Sequence, residues 1–304
     1  PRLLGSFTEL GGYSFPHAFV QLANGHLLST FQGRGPKNVP PGGLVELDRE
    51  GRLVRASSAR AASIDSSEIR PYSLAVLPAI DRVVSTSTDM IGDFGAHVQI
   101  WRLSDLALLQ TIELPATKAQ DGHAHHAPQT SGKEDHHLLP GEPRVLADGR
   151  TVLLGTFTCG FYRVSDIDAP SARVDFLRAF GGENCAVPVL SGSWWVQTVP
   201  DEHALVTLDV SDPSQPREVS RATFDSTFRP HWLAFDEGGS RLVVNDGAAR
   251  VLLVRFDQRT GALRIDDAFR DEGATTPGMS FDRTSWPHGA SGPAAPHGSV
   301  FSRP

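Results

Sequence analysis

The sequence predicts an all-β protein, a β-propeller of four-stranded blades, and three observations predict it. The 29 Gly and 22 Pro among 304 residues break the chain into short segments, which suits strands and turns rather than long helices. A pattern of apolar run, tight turn and apolar run recurs at roughly 40–50 residues, a period of propeller blades. Each such hairpin is followed by a second alternating pair, so two hairpins complete one blade.

Taken in order, the first hairpins are Val20-Gln-Leu-Ala-Asn-Gly-His-Leu-Leu28, Val145-Leu-Ala-Asp-Gly-Arg-Thr-Val-Leu-Leu154 and Leu233-Ala-Phe-Asp-Glu-Gly-Gly-Ser-Arg-Leu-Val-Val244. Leu74 to Val84 and Val187 to Val196 are degenerate copies. Asn-Gly, Asp-Gly or a Gly/Ser cluster supplies the positive-φ residues that a hairpin turn needs. The second pairs open at Leu44, Val98, Phe161, Leu205 and Leu252. This predicts five complete units, 14–60, 68–114, 140–180, 184–224 and 228–270. Leu3 to Leu10 and the Gly-, Pro- and Ser-rich stretch 271–304 are expected to close a sixth, composite blade, with Ser299-Val-Phe-Ser302 as its inner strand. Residues 1–304 thus read as a single propeller domain with a His-rich loop at 115–141, and a pair of β-sandwiches is the alternative.

Composition excludes several functions. Hydrophobic residues make up 39% and charged residues 21%. No apolar run approaches the ~18 residues of a membrane helix, so no membrane span is expected. The 28 basic residues are scattered among 35 acidic ones, net −7, which argues against nucleic acid as a partner. Cys159 and Cys185 are too few for a disulfide framework or a thiolate zinc site, so a metal here would use nitrogen and oxygen ligands. The chain begins Pro-Arg-Leu-Leu-Gly without an apolar h-region. A cytoplasmic location is therefore expected, with the periplasm as the alternative because a processed start looks the same. Oligomeric state is not legible.

In a propeller the inner strands converge on the axis, so residues at their mouths can build one site from distant sequence. Those positions read Pro16-His17, Pro71-Tyr72, Glu142-Pro143, Asn184-Cys185, Pro230-His231 and Pro296-His297. Three histidines and a carboxylate are ligand types of zinc, copper or non-haem iron, and neighbouring prolines stiffen the backbone that aims them. The plainer reading of each Pro-His pair is a turn residue bonded to a nearby loop. The loop 115–141 carries five of the 12 histidines; His126 and His137 are the best placed to lend a ligand, and His123, His125 and His136 read as solvated. His288, in Ser285-Trp-Pro-His-Gly, repeats the Pro-His-Gly wording of Pro296-His-Gly298 and is a second candidate for the same role. Tyr72 would donate a hydrogen bond at the axis or else sit in the core. Cys185 is either a soft ligand or an inert buried thiol. Trp194, Trp195 and Trp232 read as core. No nucleophile elbow, phosphate-binding glycine loop or His-Glu-x-x-His helix is present.

Phe15-Pro-His-Ala-Phe-Val-Gln-Leu-Ala-Asn-Gly25, Gly42-Gly-Leu-Val-Glu-Leu-Asp48, Gly95-Ala-His-Val-Gln-Ile-Trp101, Leu208-Asp-Val-Ser-Asp-Pro-Ser-Gln-Pro-Arg217 and Gly292-Pro-Ala-Ala-Pro-His-Gly298 resemble the selenium-binding protein family, which includes the methanethiol oxidases. The resemblance implies a β-propeller and copper-dependent oxidation of a thiol by dioxygen. It matches His17, His97, Glu142 and His297 to family positions. Val20 stands where that family has a second histidine, and its Cys-x-x-Cys segment has no counterpart, which implies a compact relative.

The expected function is oxidation of a small molecule, with dioxygen as a co-substrate, by one copper or iron ion. His17, His231 and His297 are the expected main ligands, and His126, His137 or Glu142 completes the set. Glu142 would orient a ligand imidazole or move a proton, and Tyr72 would support the bound oxygen species. His288, His97 and Cys185 are further candidates. The alternative is a non-catalytic propeller that binds a protein or small ligand on its top face. A propeller lactonase using a hard cation ranks last, since it would place more Asp and Asn at the strand mouths.

Overall fold

The computed structural model describes residues 5–65, 69–89, 94–115, 138–236, 240–281, 285–286, 289–290 and 294–301. The chain divides into two compact units, Pro1–Phe176 and Leu177–Pro304.

The first unit holds β1 (Ser14–Gln21), β2 (Leu27–Gly33), β3 (Gly43–Leu47), β4 (Leu53–Ser58), β5 (Pro71–Leu77), β6 (Arg82–Asp89), β7 (Phe94–Arg102), β8 (Leu108–Glu113), β9 (Pro140–Val145), β10 (Val152–Thr156), β11 (Gly160–Ser165) and most of β12 (Arg173–Ala179). They form three four-stranded meanders, β1-β2-β3-β4, β5-β6-β7-β8 and β9-β10-β11-β12. The second unit holds β13 (Val189–Ser191), β14 (Trp194–Val199), β15 (Ala204–Asp209), β16 (Arg217–Thr223), β17 (Trp232–Phe235), β18 (Arg241–Asn245), β19 (Arg250–Asp257) and β20 (Ala262–Ile265), in two further meanders. These five sheets are the five predicted repeats.

Turn chemistry explains why the repeats were visible. Asn24-Gly25 and Asp148-Gly149 place glycines at φ 83° and 65° between paired strands, and Asp148 Oδ1 accepts the backbone N–H groups of Arg150 and Thr151 at 2.9 Å each. The degenerate copies differ: Leu74 to Val84 turns through the 3₁₀ turn Pro78–Ile80 that ends on left-handed Asp81, and Val187 to Val196 turns on Gly192 at φ 58°. A second 3₁₀ turn, Pro200–Glu202, joins β14 to β15 and ends on left-handed His203.

The sheets pack face to face. Val84, Val98 and Ile100 of β6 and β7 meet Val152, Leu154 and Tyr162 of the third sheet. Trp101, on the opposite face of β7, packs with Leu28 and Leu44 of the first sheet, and its indole N–H is satisfied by Ser85 Oγ at 2.9 Å. In the second unit Val196 and Leu205 pack on Leu242, Val254 and Phe256. Burying side chains of this size contributes about 1.5–3 kcal/mol each before chain entropy is counted.

The expected composite blade differs in detail. Residues 5–9 and 294–301 carry no strand, and the C-terminal stretch instead supplies β21 (Met279–Ser280), which pairs with β19, and the two-stranded ribbon β22 (Ser285–Trp286) and β23 (Gly289–Ala290). The segment 294–301 is held by side chains rather than by a ladder, as described below.

Candidate functional site

Inner strands in the first unit are not regular at their mouths. The β1–β2 register shifts between Pro16 and Phe19, and the β5–β6 register shifts between Pro71 and Leu74. A third shift lies opposite Gly141 and Glu142, between Leu154 and Thr156. His17, Tyr72 and Glu142 therefore sit inside strands at bulges, not just ahead of them, and a bulge re-aims a side chain. Phe15 and Leu139, immediately before Pro16 and Pro140, have φ of 58° and 63°, an uncommon region for bulky residues.

A buried threonine on the second strand fixes each of the first two bulges. Thr30 Oγ1 accepts the Ala18 N–H at 3.0 Å and donates to the Tyr72 carbonyl at 2.8 Å. Thr86 Oγ1 accepts the Ser73 N–H at 3.2 Å and donates to the Gly141 carbonyl at 2.8 Å. Each hydroxyl ties its own inner strand to the next one.

Three of the expected residues meet here. His17 Nδ1 lies 2.9 Å from the Tyr72 carbonyl. A carbonyl only accepts, so Nδ1 carries the hydrogen and the lone pair is on Nε2, the tautomer a metal-ligating imidazole uses. The His17 and Tyr72 rings are 3.9 Å apart, and Phe157 meets Tyr72 edge-on at 5.4 Å. Glu142 Oε2 accepts from Ser73 Oγ at 2.6 Å and from Arg144 at 3.1 Å. Burial, reinforced by the Glu142 charge, pushes the Tyr72 phenol far up, so it stays a donor across the physiological range. The cluster offers one imidazole lone pair, one phenolic donor and one anchored carboxylate.

The second unit brings together the other pair. His231 Nε2 and His297 Nε2 are 3.1 Å apart, with the rings inclined at 61°. Two metal-bound imidazoles at ~2.0–2.1 Å and adjacent coordination positions would have nitrogens about 2.9–3.4 Å apart. The pair fits that geometry. Burial and the His297 charge both push the His231 pKa down, which favours the neutral form that binds metal. The His231 N–H donates to the Asn245 carbonyl at 2.7 Å, and its own carbonyl accepts from Val187 at 3.1 Å.

The remaining candidates stand apart. His97 is buried on β7, and burial holds its pKa down against the opposing Glu113 charge. Its Nδ1 has no partner. Cys185 is buried, and neither cysteine is a free thiol, so the thiolate-ligand option closes. His126, His137 and His288, with most of the loop 115–141, lie outside the described residues. Among the described residues no group of three or more His, Cys, Asp or Glu could hold a metal ion, and no helix is long and apolar enough to cross a membrane.

Sequence reasoning missed Ser73 and Arg144, although Arg144 two residues after Glu142 on a strand shares its face. It also placed Trp232 in the core. Trp232 is only partly buried, and its indole N–H donates to the Ser299 carbonyl at 3.3 Å.

No protein-family model matches the chain, and no curated protein matches it in sequence. Solved structures do. A hypothetical selenium-binding protein from Sulfolobus tokodaii superposes with a TM-score of 0.68 at 12% identity over 85% of this chain, which spans 66% of that protein's length. The periplasmic gluconolactonase of Pseudomonas aeruginosa gives 0.58 at 16% identity, covering 84% of this chain and 70% of that one. The β-propeller domain of Cps50 (Swd1) from Myceliophthora thermophila gives 0.57 at 15%, covering 89% and 76%. At these identities the likeness shows the fold alone, and the fold is a β-propeller.

Proposed function

We propose that residues 1–304 act as one β-propeller domain that binds a copper or iron ion through His231 and His297 and uses it to oxidise a small molecule. The observation that carries this reading is the 3.1 Å separation of the two Nε2 atoms. The likeness in fold to a protein described as selenium-binding supports it, as does the resemblance in sequence words. When bound, copper or iron supplies one-electron redox chemistry toward a substrate and dioxygen.

The first unit carries its own polar cluster. His17 commits its Nδ1–H to the Tyr72 carbonyl. Tyr72 donates a hydrogen bond without ionising. Glu142, anchored by Ser73 and Arg144, is positioned to move a substrate proton. Cysteines kept out of the free-thiol state favour an oxidising compartment, so the periplasm is preferred to the cytoplasm.

Elemental analysis of protein purified without a His tag tests the proposal. About one copper or iron per chain is expected in the wild type, lost in His231→Ala and His297→Ala. A chain that takes up no metal after reconstitution with copper, iron and zinc would leave a propeller that binds a protein or small ligand without chemistry.

A further inference from the structure

We infer that the C-terminal segment 294–301 is a strap that delivers His297 to His231, and that Asn245 and Trp232 are the positioning residues that set it. The inference rests on the metal-site reading above and says which residues assemble that site.

Among the described residues the segment pairs with no strand. The Ala294 N–H donates to the Phe281 carbonyl at 3.0 Å and Arg241 lies over the Phe301 ring, and between these ends two side chains hold it beside His297. Asn245, at the mouth end of β18, is fully buried. Its Nδ2 donates to the Pro296 carbonyl at 3.2 Å, and its Oδ1 accepts from Ser299 Oγ at 2.9 Å. Only this orientation of the amide works, because the Pro296 carbonyl needs a donor. The Asn245 carbonyl accepts the His231 N–H at 2.7 Å. One buried residue therefore holds His231 by its backbone and the residue before His297 by its side chain.

Trp232 acts from the other side. Its indole N–H donates to the Ser299 carbonyl, and its ring lies under Gly298, where a Cβ would come within 3.1 Å of two ring carbons. The Trp232 and His297 rings are 6.1 Å apart. Gly298 thus lets the strap lie flat on the indole, which sets the height of the imidazole next to it. Orienting groups behind a metal ligand typically tune affinity by about 10–100-fold, and a similar loss is expected when the strap lifts.

The test loads the full chain with one equivalent of Cu(II) alone and counts coordinated imidazoles by pulsed EPR, with thermal unfolding measured in parallel. Gly298→Val and Asn245→Ala should each show one fewer imidazole than wild type, matching His297→Ala, with copper affinity reduced about 10–100-fold. Gly298→Ala should fall between, and Trp232→Phe, which keeps an aromatic face but loses the N–H to Ser299, should weaken binding less than Gly298→Val. Gly298 lies on an exposed segment, so Gly298→Val keeps the test decisive if Asn245→Ala does not fold. A Gly298→Val protein that retains the wild-type imidazole count and affinity overturns the inference. If His297→Ala itself leaves the count unchanged, the metal-site reading fails instead.

Discussion

In the unit Pro1–Phe176, Thr30 and Thr86 tie a bulge in one inner strand to the inner strand that follows, whereas in Leu177–Pro304 Asn245 ties β17 to a strap that is no strand. The task is the same, since a buried polar group on the second strand reaches a carbonyl at the next mouth. The consequence differs. Each threonine braces a bulge that ladder pairs flank on both sides, so His17, Tyr72 and Glu142 sit on backbone held from two directions. Asn245 holds a segment that pairs with no strand among the described residues, so the meeting of His231 with His297 depends on side-chain contacts from Asn245 and Trp232. Stability should be concentrated in the first arrangement and adjustability in the second.

Four experiments would break or sharpen that contrast. The largest effect is expected from His231→Ala, which removes the better buried imidazole. Copper affinity measured by competition with a chelator should fall at least ~100-fold, with little change in unfolding midpoint. Next comes Thr86→Val. It strips the Ser73 N–H and the Gly141 carbonyl of a buried partner at once, at about 1–3 kcal/mol in urea unfolding. Thr30→Val should cost less, because the Tyr72 carbonyl keeps the hydrogen bond from His17. Equal losses in the two variants would mean that His17 does not hold that carbonyl.

His97 should give a smaller, pH-dependent effect. Its pKa in the fold lies below the ordinary 6.5, so the unfolded chain binds the extra proton more readily. Stability from this group is present above that value and is lost as pH falls below it. In His97→Gln the decline in urea midpoint between about pH 7 and 5 should be shallower than in wild type, and an unchanged slope would remove His97 from the account. The smallest effect is expected from Arg144→Gln. Arg144 is partly exposed and Glu142 keeps Ser73, so a loss under about 1 kcal/mol is expected.

Much of this arrangement is written in local sequence. Asn24-Gly25 and Asp148-Gly149 announce turns by backbone chemistry alone, and the alternation around them sets strand faces, so the five repeats could be bounded to within a few residues. The repeat singles out His231 and His297, 66 residues apart, together with His17, but not their pairing, and the inner strand expected after His297 is not there. Bulges were not legible. A register shift depends on how two strands twist past each other, and Pro16-His17 carries no mark that it lies inside β1. Burial of Tyr72 and the commitment of Glu142 to Ser73, 69 residues away, depend on the tertiary fold, which no local pattern encodes. Trp232 was misplaced for a related reason: a tryptophan at a strand start looks like core until the segment lying on it is known.

The claim that His231 and His297 share one metal ion is tested most directly by anomalous X-ray scattering from crystals of the copper-loaded protein, collected on both sides of the copper edge. The account predicts one strong peak about 2.0–2.1 Å from both Nε2 atoms. A copper peak elsewhere, or a hydrogen-bonded imidazole pair with no peak beside it in metal-saturated crystals, would contradict it.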